Sequence, residues 1–259
     1  MGLGGPGQKP ILGAVAGTSV GYAVEVRRTS GAAKRLLDVV VSATALLLLS
    51  VAIAAIALAI KLDSRGPVFY RCRRVGSGGR ELWMLKFRKM PSVAEGPALT
   101  VPDDARFTRI GRHLARTKLD ELPQLWNVLT GSMSLVGPRP EDPSFVELFP
   151  ADYDEILRVR PGITGLTQLA FAHEGKILDS RDRVGDYVRR LLPLKIQIDR
   201  FYAARRSTLM DLRILAWTVI AVVFKAEIAV DRSTGRLTLR RRPPLRAEEP
   251  CEAEGVVIS

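Results

Sequence analysis

Cysteine and histidine are nearly missing from this sequence: Cys72, Cys251, His113 and His173 are the whole complement, and they are widely separated. A disulfide framework and a His/Cys zinc site both need grouped ligands, so neither is expected. A hard-cation site built from carboxylates and phosphate oxygens remains available. Acidic residues are also short. There are 27 Asp+Glu against 39 Lys+Arg, a formal charge of +12 over 259 residues. That surplus favours polyanionic partners: nucleic acid, anionic lipid headgroups or phosphorylated small molecules. No repeat is found, and residues 11–24 lack the strong apolar core of a secretory signal. The length suits one sizeable domain, with or without tails.

The apolar residues, 47 % of the chain, are concentrated early, where residues 39–60 carry no charge. As a helix this run reaches about 33 Å, enough to cross a hydrocarbon core of about 30 Å. A spanning helix is the simple reading. Both flanks are basic, however: Arg27, Arg28, Lys34 and Arg35 precede the run, and Lys61, Arg65, Arg71, Arg73 and Arg74 follow it. Basic flanks on both sides give no orientation by the positive-inside rule. A helix that enters and leaves on one face places all these cations against the same headgroups. Ser50 lies at mid-run and offers a hydroxyl to a broken backbone, although no proline or glycine forces a bend there. The Gly-rich opening and the RRRPPLRAEEP stretch read as disordered or weakly ordered tails, residues 1–33 and 231–259.

After the apolar run, Val68, Tyr70, Leu82 and Leu85 alternate incompletely around SGG, which predicts a small β-hairpin. Its end, KFRKM (86–90), is either a solvated basic edge or a phosphate-facing patch. Residues 91–105 read as a loop, and 107–116 as a short helix. Asp120 then falls where a helix N-cap belongs, with Glu121 and Pro123 in the first turn. Leu122, Leu125, Trp126 and Leu129 lie behind, and the helix should stop near Gly131. An acidic first turn is an ordinary helix start. The cations Arg109, Arg112, Arg116, Lys118 and Arg139 nearby also suit a phosphate site in which a carboxylate is kept ionised and set against phosphorus. GPRP (137–140) and PGITG (161–165), the latter preceded by Arg160, read as tight turns. Residues 186–204 and 208–225 read as helices, the second interfacial or buried rather than spanning.

Several of these stretches together resemble the bacterial sugar transferases, the monotopic polyprenyl-phosphate phosphoglycosyltransferases. They are KRLLD (34–38), KLDSRGPVFYRCRRVG (61–76), KFRKM (86–90), LDELPQLWNVLTGSMSLVGPRP (119–140) and VRPGITGLTQL (159–169). The resemblance implies an α+β, predominantly helical, monotopic membrane protein. It would have a re-entrant helix over 34–62, a small hairpin, interfacial amphipathic helices and a catalytic domain over 63–230. It implies an enzyme that moves a sugar phosphate from a UDP-sugar to polyprenyl phosphate through a covalent aspartyl intermediate. Asp120 would be the nucleophile and Glu121 its partner, both near Mg²⁺. Arg139, Arg88, Arg116, Lys86 and Arg160 would contact substrate, and Ser50 would mark the membrane break. The implied setting is the cytoplasmic face of the bacterial inner membrane. Downstream glycosyltransferases are candidate partners, and nucleic acid is not expected. The family pattern is departed from at Ser50-Val51 (usually Ser-Pro), at Lys118 (usually Ser), and at Phe171, Ala172 and His173, where an arginine is common. The last two departures motivate the alternative of a non-catalytic membrane anchor or assembly partner.

Overall fold

The computed structural model describes residues 31–91, 104–172 and 182–240. The expected tails therefore lie outside the described residues up to 30 and beyond 240, as do His173 and most of the 91–105 loop. The described part is predominantly helical, with three two-stranded sheets.

The apolar run forms two helices, α1 (Gly31–Leu48) and α2 (Ser50–Asp63), set at 61° to one another. The bend needs no proline. Leu49 leaves helical geometry, and Ser50 Oγ donates to Leu47 O at 2.8 Å, a side-chain-to-backbone bond that competes with the helical ladder. Among the described residues no single helix is long and apolar enough to cross a membrane; the bent pair together reaches that length and composition.

Both ends of the pair are fastened to the same body. In α1, Lys34 Nζ donates to Asp211 (2.6 Å) and Val136 O (3.0 Å), and Arg35 donates to Val128 O (2.6 Å) and Leu129 O (2.7 Å). Asp38 accepts from Ser134 Oγ (3.1 Å) and Leu135 N (3.0 Å). At the far end of α2, Asp63 accepts from Ile110 N at 3.2 Å, and Ile60 packs with Phe87 and Leu114. The elbow is bare: Leu47, Leu48 and Val51 are 74, 76 and 79 % exposed.

Strands β1 (Phe69–Val75) and β2 (Glu81–Phe87) make the expected hairpin, joined through Ser77–Gly79. Its inner face comes from β2, through Leu82, Met84 and Phe87, and not from the alternation anticipated around Tyr70, which is exposed. Helix α3 (Arg109–Thr117) is capped by Thr108, whose hydroxyl accepts from Gly111 N at 2.9 Å.

The helix predicted to start at Asp120 starts later, as α4 (Gln124–Thr130). Asp120 sits in a 3₁₀ turn, Leu119–Glu121, entered through Lys118 at φ 60°. An N-cap at 120 would bond the N–H groups at 122 and 123. Leu122 N instead bonds Leu119 O at 3.2 Å, and Pro123 has no N–H. The helix ends as expected at Gly131, whose φ of 89° favours glycine. Trp126, expected behind the helix, is half exposed; Asn127 and Val128 face inward instead. Asn127 Oδ1 accepts from Leu85 N and its Nδ2 donates to Trp83 O, both at 2.9 Å, so one amide side chain pairs with the open edge of β2 as a strand would.

PGITG is not a turn. Gly162–Thr164 forms β4, parallel to β3 (Ser134–Val136), with α5 (Pro143–Val146) and α6 (Pro150–Ile156) in the crossover. The glycines serve close approach: a Cβ on Gly162 would lie 2.1 Å from Gly137 N. Helix α7 (Leu166–Ala170) is the last element before residue 173; Arg183–Asp186 is helical and leads into a π turn, Tyr187–Leu191. It continues as α8 (Leu192–Arg205), where Pro193 cannot donate to the preceding turn. Helix α9 (Thr208–Val223) lays Ile214 on the core and leaves Leu212, Val219, Val222 and Val223 exposed. A hairpin of β5 (Ile228–Val230) and β6 (Leu237–Leu239) follows, with Ile228 in the main core. The boundary expected at 230 thus cuts through a folded hairpin, and residues 231–239 are not tail.

Candidate active site

Two segments meet at Asp120 and Glu121. One is the end of β2, which carries Lys86 and runs on to Lys89. The other is the turn before α4. Asn127 holds α4 on β2, so the register of the cations against the carboxylates is fixed by backbone-like bonds. Below them, Ile60, Phe87 and Leu114 form a small apolar floor with Leu119 and Leu122 packed on it.

The two carboxylates are held differently. Glu121 Oε1 accepts from Arg139 Nη2 at 2.8 Å and from Lys86 Nζ at 3.0 Å. Burial pushes the Glu121 carboxyl up, but Arg139, Lys86 and Lys118 outweigh it and hold it well below the usual carboxylate range. Asp120 is buried, and Lys89 Nζ stands 3.4 Å from its Oδ2. The Lys89 ammonium also lies over the Phe107 ring, 5.4 Å from its centroid. Burial lowers the Lys89 pKa, against the opposing pull of Asp120. Lys86, Lys89 and Arg139 therefore face two carboxylates, a site with surplus positive charge and a preference for anions.

Arg139 reaches Glu121 because its loop is pinned on either side. Gly137 N bonds Thr164 O at 2.9 Å and Gly162 N bonds Pro138 O at 2.8 Å. Beyond it, Glu141 accepts from Tyr187 OH at 2.7 Å, and Asp142 pairs with Arg74.

The structure thus brings together Asp120, Glu121, Lys86 and Arg139. It places the other expected contacts elsewhere. Arg88 is buried and caps α2, donating to Ser64 O (2.7 Å), Ser64 Oγ (3.0 Å) and Arg65 O. The Ser64 and Arg65 carbonyls follow the last turn of α2, where the helix supplies no donors. Arg116 is exposed on the last turn of α3, and Arg160 is exposed ahead of β4. Lys89 entered the sequence reading with Lys86 and Arg88 as part of a basic cluster, and was not among the expected substrate contacts. Its one signal was its place in KFRKM, and only the fold tells it from Arg88 beside it.

A buried and a part-buried carboxylate face three cations here, with a bent apolar helix pair fastened alongside, and the surplus positive charge suits an anionic ligand. The chain belongs to the bacterial sugar transferase family, whose model matches residues 29–225. It is 40 % identical over 199 residues to a UDP-glucose:undecaprenyl-phosphate glucose-1-phosphate transferase of Xanthomonas campestris pv. campestris, covering 74 % of this chain and 39 % of that protein. It is 36 % identical to a UDP-N-acetylgalactosamine-undecaprenyl-phosphate N-acetylgalactosaminephosphotransferase of Aeromonas hydrophila, covering 73 % of this chain and 43 % of that protein. It is 38 % identical to the exopolysaccharide production protein PSS of Rhizobium leguminosarum bv. phaseoli, covering 73 % and 94 %. The chain thus spans about two fifths of the first two relatives and nearly all of the third.

Proposed function

We propose that this protein transfers a sugar 1-phosphate from a UDP-sugar to polyprenyl phosphate, with release of UMP. The observation that carries this reading is the buried Asp120, beside a Glu121 already tied to Arg139 and Lys86, in a family whose relatives carry such names. In the first half-reaction an Asp120 oxygen attacks the sugar-linked phosphorus. The bond to UMP breaks and its electron pair leaves on the UMP phosphate. In the second, the polyprenyl phosphate oxygen attacks the aspartyl-phosphosugar and the carboxylate is regenerated. Splitting the transfer lets one site serve a soluble donor and a lipid acceptor in turn. Arg139 and Lys86 stabilise the diphosphate charge. Nucleic acid has no part in this reading.

The two carboxylates fit Mg²⁺ in the mode where one or two protein carboxylates bind it and substrate phosphates complete the shell. Asp120 and Glu121 would hold the ion, which when bound supplies charge neutralisation to the diphosphate.

The reading extends to the membrane. With both ends of the α1–α2 pair fastened to one body and the apolar elbow bare, the pair is read as re-entrant, dipping into the cytoplasmic leaflet of the inner membrane. The exposed apolar residues of α9 lie at its interface. Downstream glycosyltransferases would take the product.

The test is UMP release from a panel of UDP-sugars with undecaprenyl phosphate and Mg²⁺. Wild type is expected to release UMP and Asp120→Asn to release none above background. Full turnover by Asp120→Asn would remove the proposed nucleophile. No UMP from any donor would favour the non-catalytic assembly partner.

A further inference from the structure

We propose that Lys89 is a catalytic residue of this site: it sets the Asp120 carboxylate for attack and then pairs with a non-bridging oxygen of the transferred sugar phosphate. The inference rests on the reading of Asp120 as nucleophile.

The position of Lys89 is built. Its carbonyl accepts from Thr108 N at 3.1 Å, at the capped start of α3. Gly111 lies so close that a Cβ there would sit 2.0 Å from Lys89 O. The backbone is thus fixed between β2 and α3, and the side chain runs over Phe107 toward Asp120.

A lysine that fastens one element to another can be held by two close acceptors. Lys34 is such a case, with partners at 2.6 and 3.0 Å. Lys89 differs. Among the described residues its ammonium meets one carboxylate, at 3.4 Å, and one ring face. An ammonium has three donors, and this arrangement leaves capacity for an anion placed against Asp120.

Charge bookkeeping over the first half-reaction gives that capacity a use. As the Asp120 oxygen bonds to phosphorus, the carboxylate loses its negative charge, and UMP leaves carrying the displaced pair. The acyl phosphosugar keeps one negative charge, on a non-bridging oxygen attached to the atom just bonded to Asp120. Lys89 loses its partner and finds the new anion one bond further on. When polyprenyl phosphate displaces the carboxylate, the original pair re-forms. No net proton moves in either half, so the residue acts as a fixed charge. A cation placed where charge develops on phosphorus lowers the barrier without reorganisation.

The experiment uses the full chain in nanodiscs, with the UDP-sugar that wild type turns over. Single-turnover UMP release and the aspartyl-phosphosugar adduct, detected by mass spectrometry, are compared for wild type, Lys89→Met and Lys89→Arg. Lys89→Met is expected to slow adduct formation about 100-fold, with KM for the donor changed less than about threefold. Lys89→Arg is expected to recover at least about a tenth of the wild-type rate. Should Lys89→Met fail to fold, Lys89→Cys is measured before and after aminoethylation, which restores an ammonium at nearly the same reach, with treated wild type as control. Recovery of rate on aminoethylation is the supporting result. Adduct formation by Lys89→Met at the wild-type rate, a loss confined to KM, or no gain on aminoethylation overturns the role of Lys89 alone. A wild type that forms no adduct with any donor overturns the parent reading as well.

Discussion

Adjacent carboxylates in one turn meet different surroundings, and this is what would separate their proposed roles. Glu121 is locked by an arginine and a lysine at hydrogen-bond distance, while Asp120 faces one lysine at 3.4 Å. A nucleophile must leave its resting contacts to attack, so the looser of the two is the better suited. A different buried carboxyl, Asp199, contributes to how stability depends on pH. Burial pushes Asp199 up to about 7, against the Thr167 hydroxyl bond and Lys195, which lower it. Its usual value is 3.8, so between 3.8 and about 7 the folded state binds the proton and the unfolded state does not. Stability from this group is therefore full below the unfolded value and falls as pH rises through the folded one. Asp199→Asn keeps the acceptor for Thr167 and removes the titration. It is expected to exceed wild type in stability at pH 8 by a few kcal/mol, about 4 at most, with the gap closing toward pH 4. Denaturant unfolding in detergent at both pH values measures this. Parallel curves for the two proteins would show that Asp199 does not titrate in this way.

At the scale of elements, the site depends on backbones in near contact. Helix α3 lies against Lys89 because Gly111 has no side chain, and β3 and β4 pair because Gly137 and Gly162 have none. Alanine normally improves a mid-helix glycine by about 1 kcal/mol. At Gly111 the added Cβ meets a carbonyl oxygen rather than a side chain that can move. Gly111→Ala is therefore expected to destabilise the fold by about 2–3 kcal/mol, as overpacking does. It should also slow UMP release, because Lys89 is displaced with its backbone. Thermal unfolding together with the activity assay reads both, and an unchanged or raised melting temperature would contradict the contact.

For the molecule as a whole, the decisive arrangement is a long apolar segment whose two ends return to one body. The basic residues of α1 are spent on specific acceptors: Arg35 on the C-terminal carbonyls of α4, and Lys34 on a buried aspartate. Those bonds fix the helix pair relative to the Leu119–Glu121 turn. The expected topology is testable with single cysteines in a background lacking Cys72 and Cys251. A cysteine placed near residue 25 should resist a membrane-impermeant thiol reagent added from the periplasmic side and react once the cytoplasmic face is opened. Labelling from the periplasm in intact cells would mean a spanning helix.

The apolar segment, the hairpin and the stop at Gly131 were legible in the sequence, because each rests on local chemistry, hydropathy and turn glycines; the Asp120–Glu121 pair stood out through the family resemblance, since its local pattern read as an ordinary helix start. Ser50 marked the elbow through local chemistry too, since a hydroxyl competes for nearby carbonyls whether or not a proline is present. The fold alone decided the duties of neighbouring cations. Arg88 caps α2 while Lys86 and Lys89 face the carboxylates, although the three lie within four positions. Arg139 joins from a distant loop, and PGITG becomes a strand because its glycines pack on Gly137 rather than turn. Sequence proximity sets which charges are available. Which of them meets a given carboxylate is set by long-range packing, which no local pattern encodes.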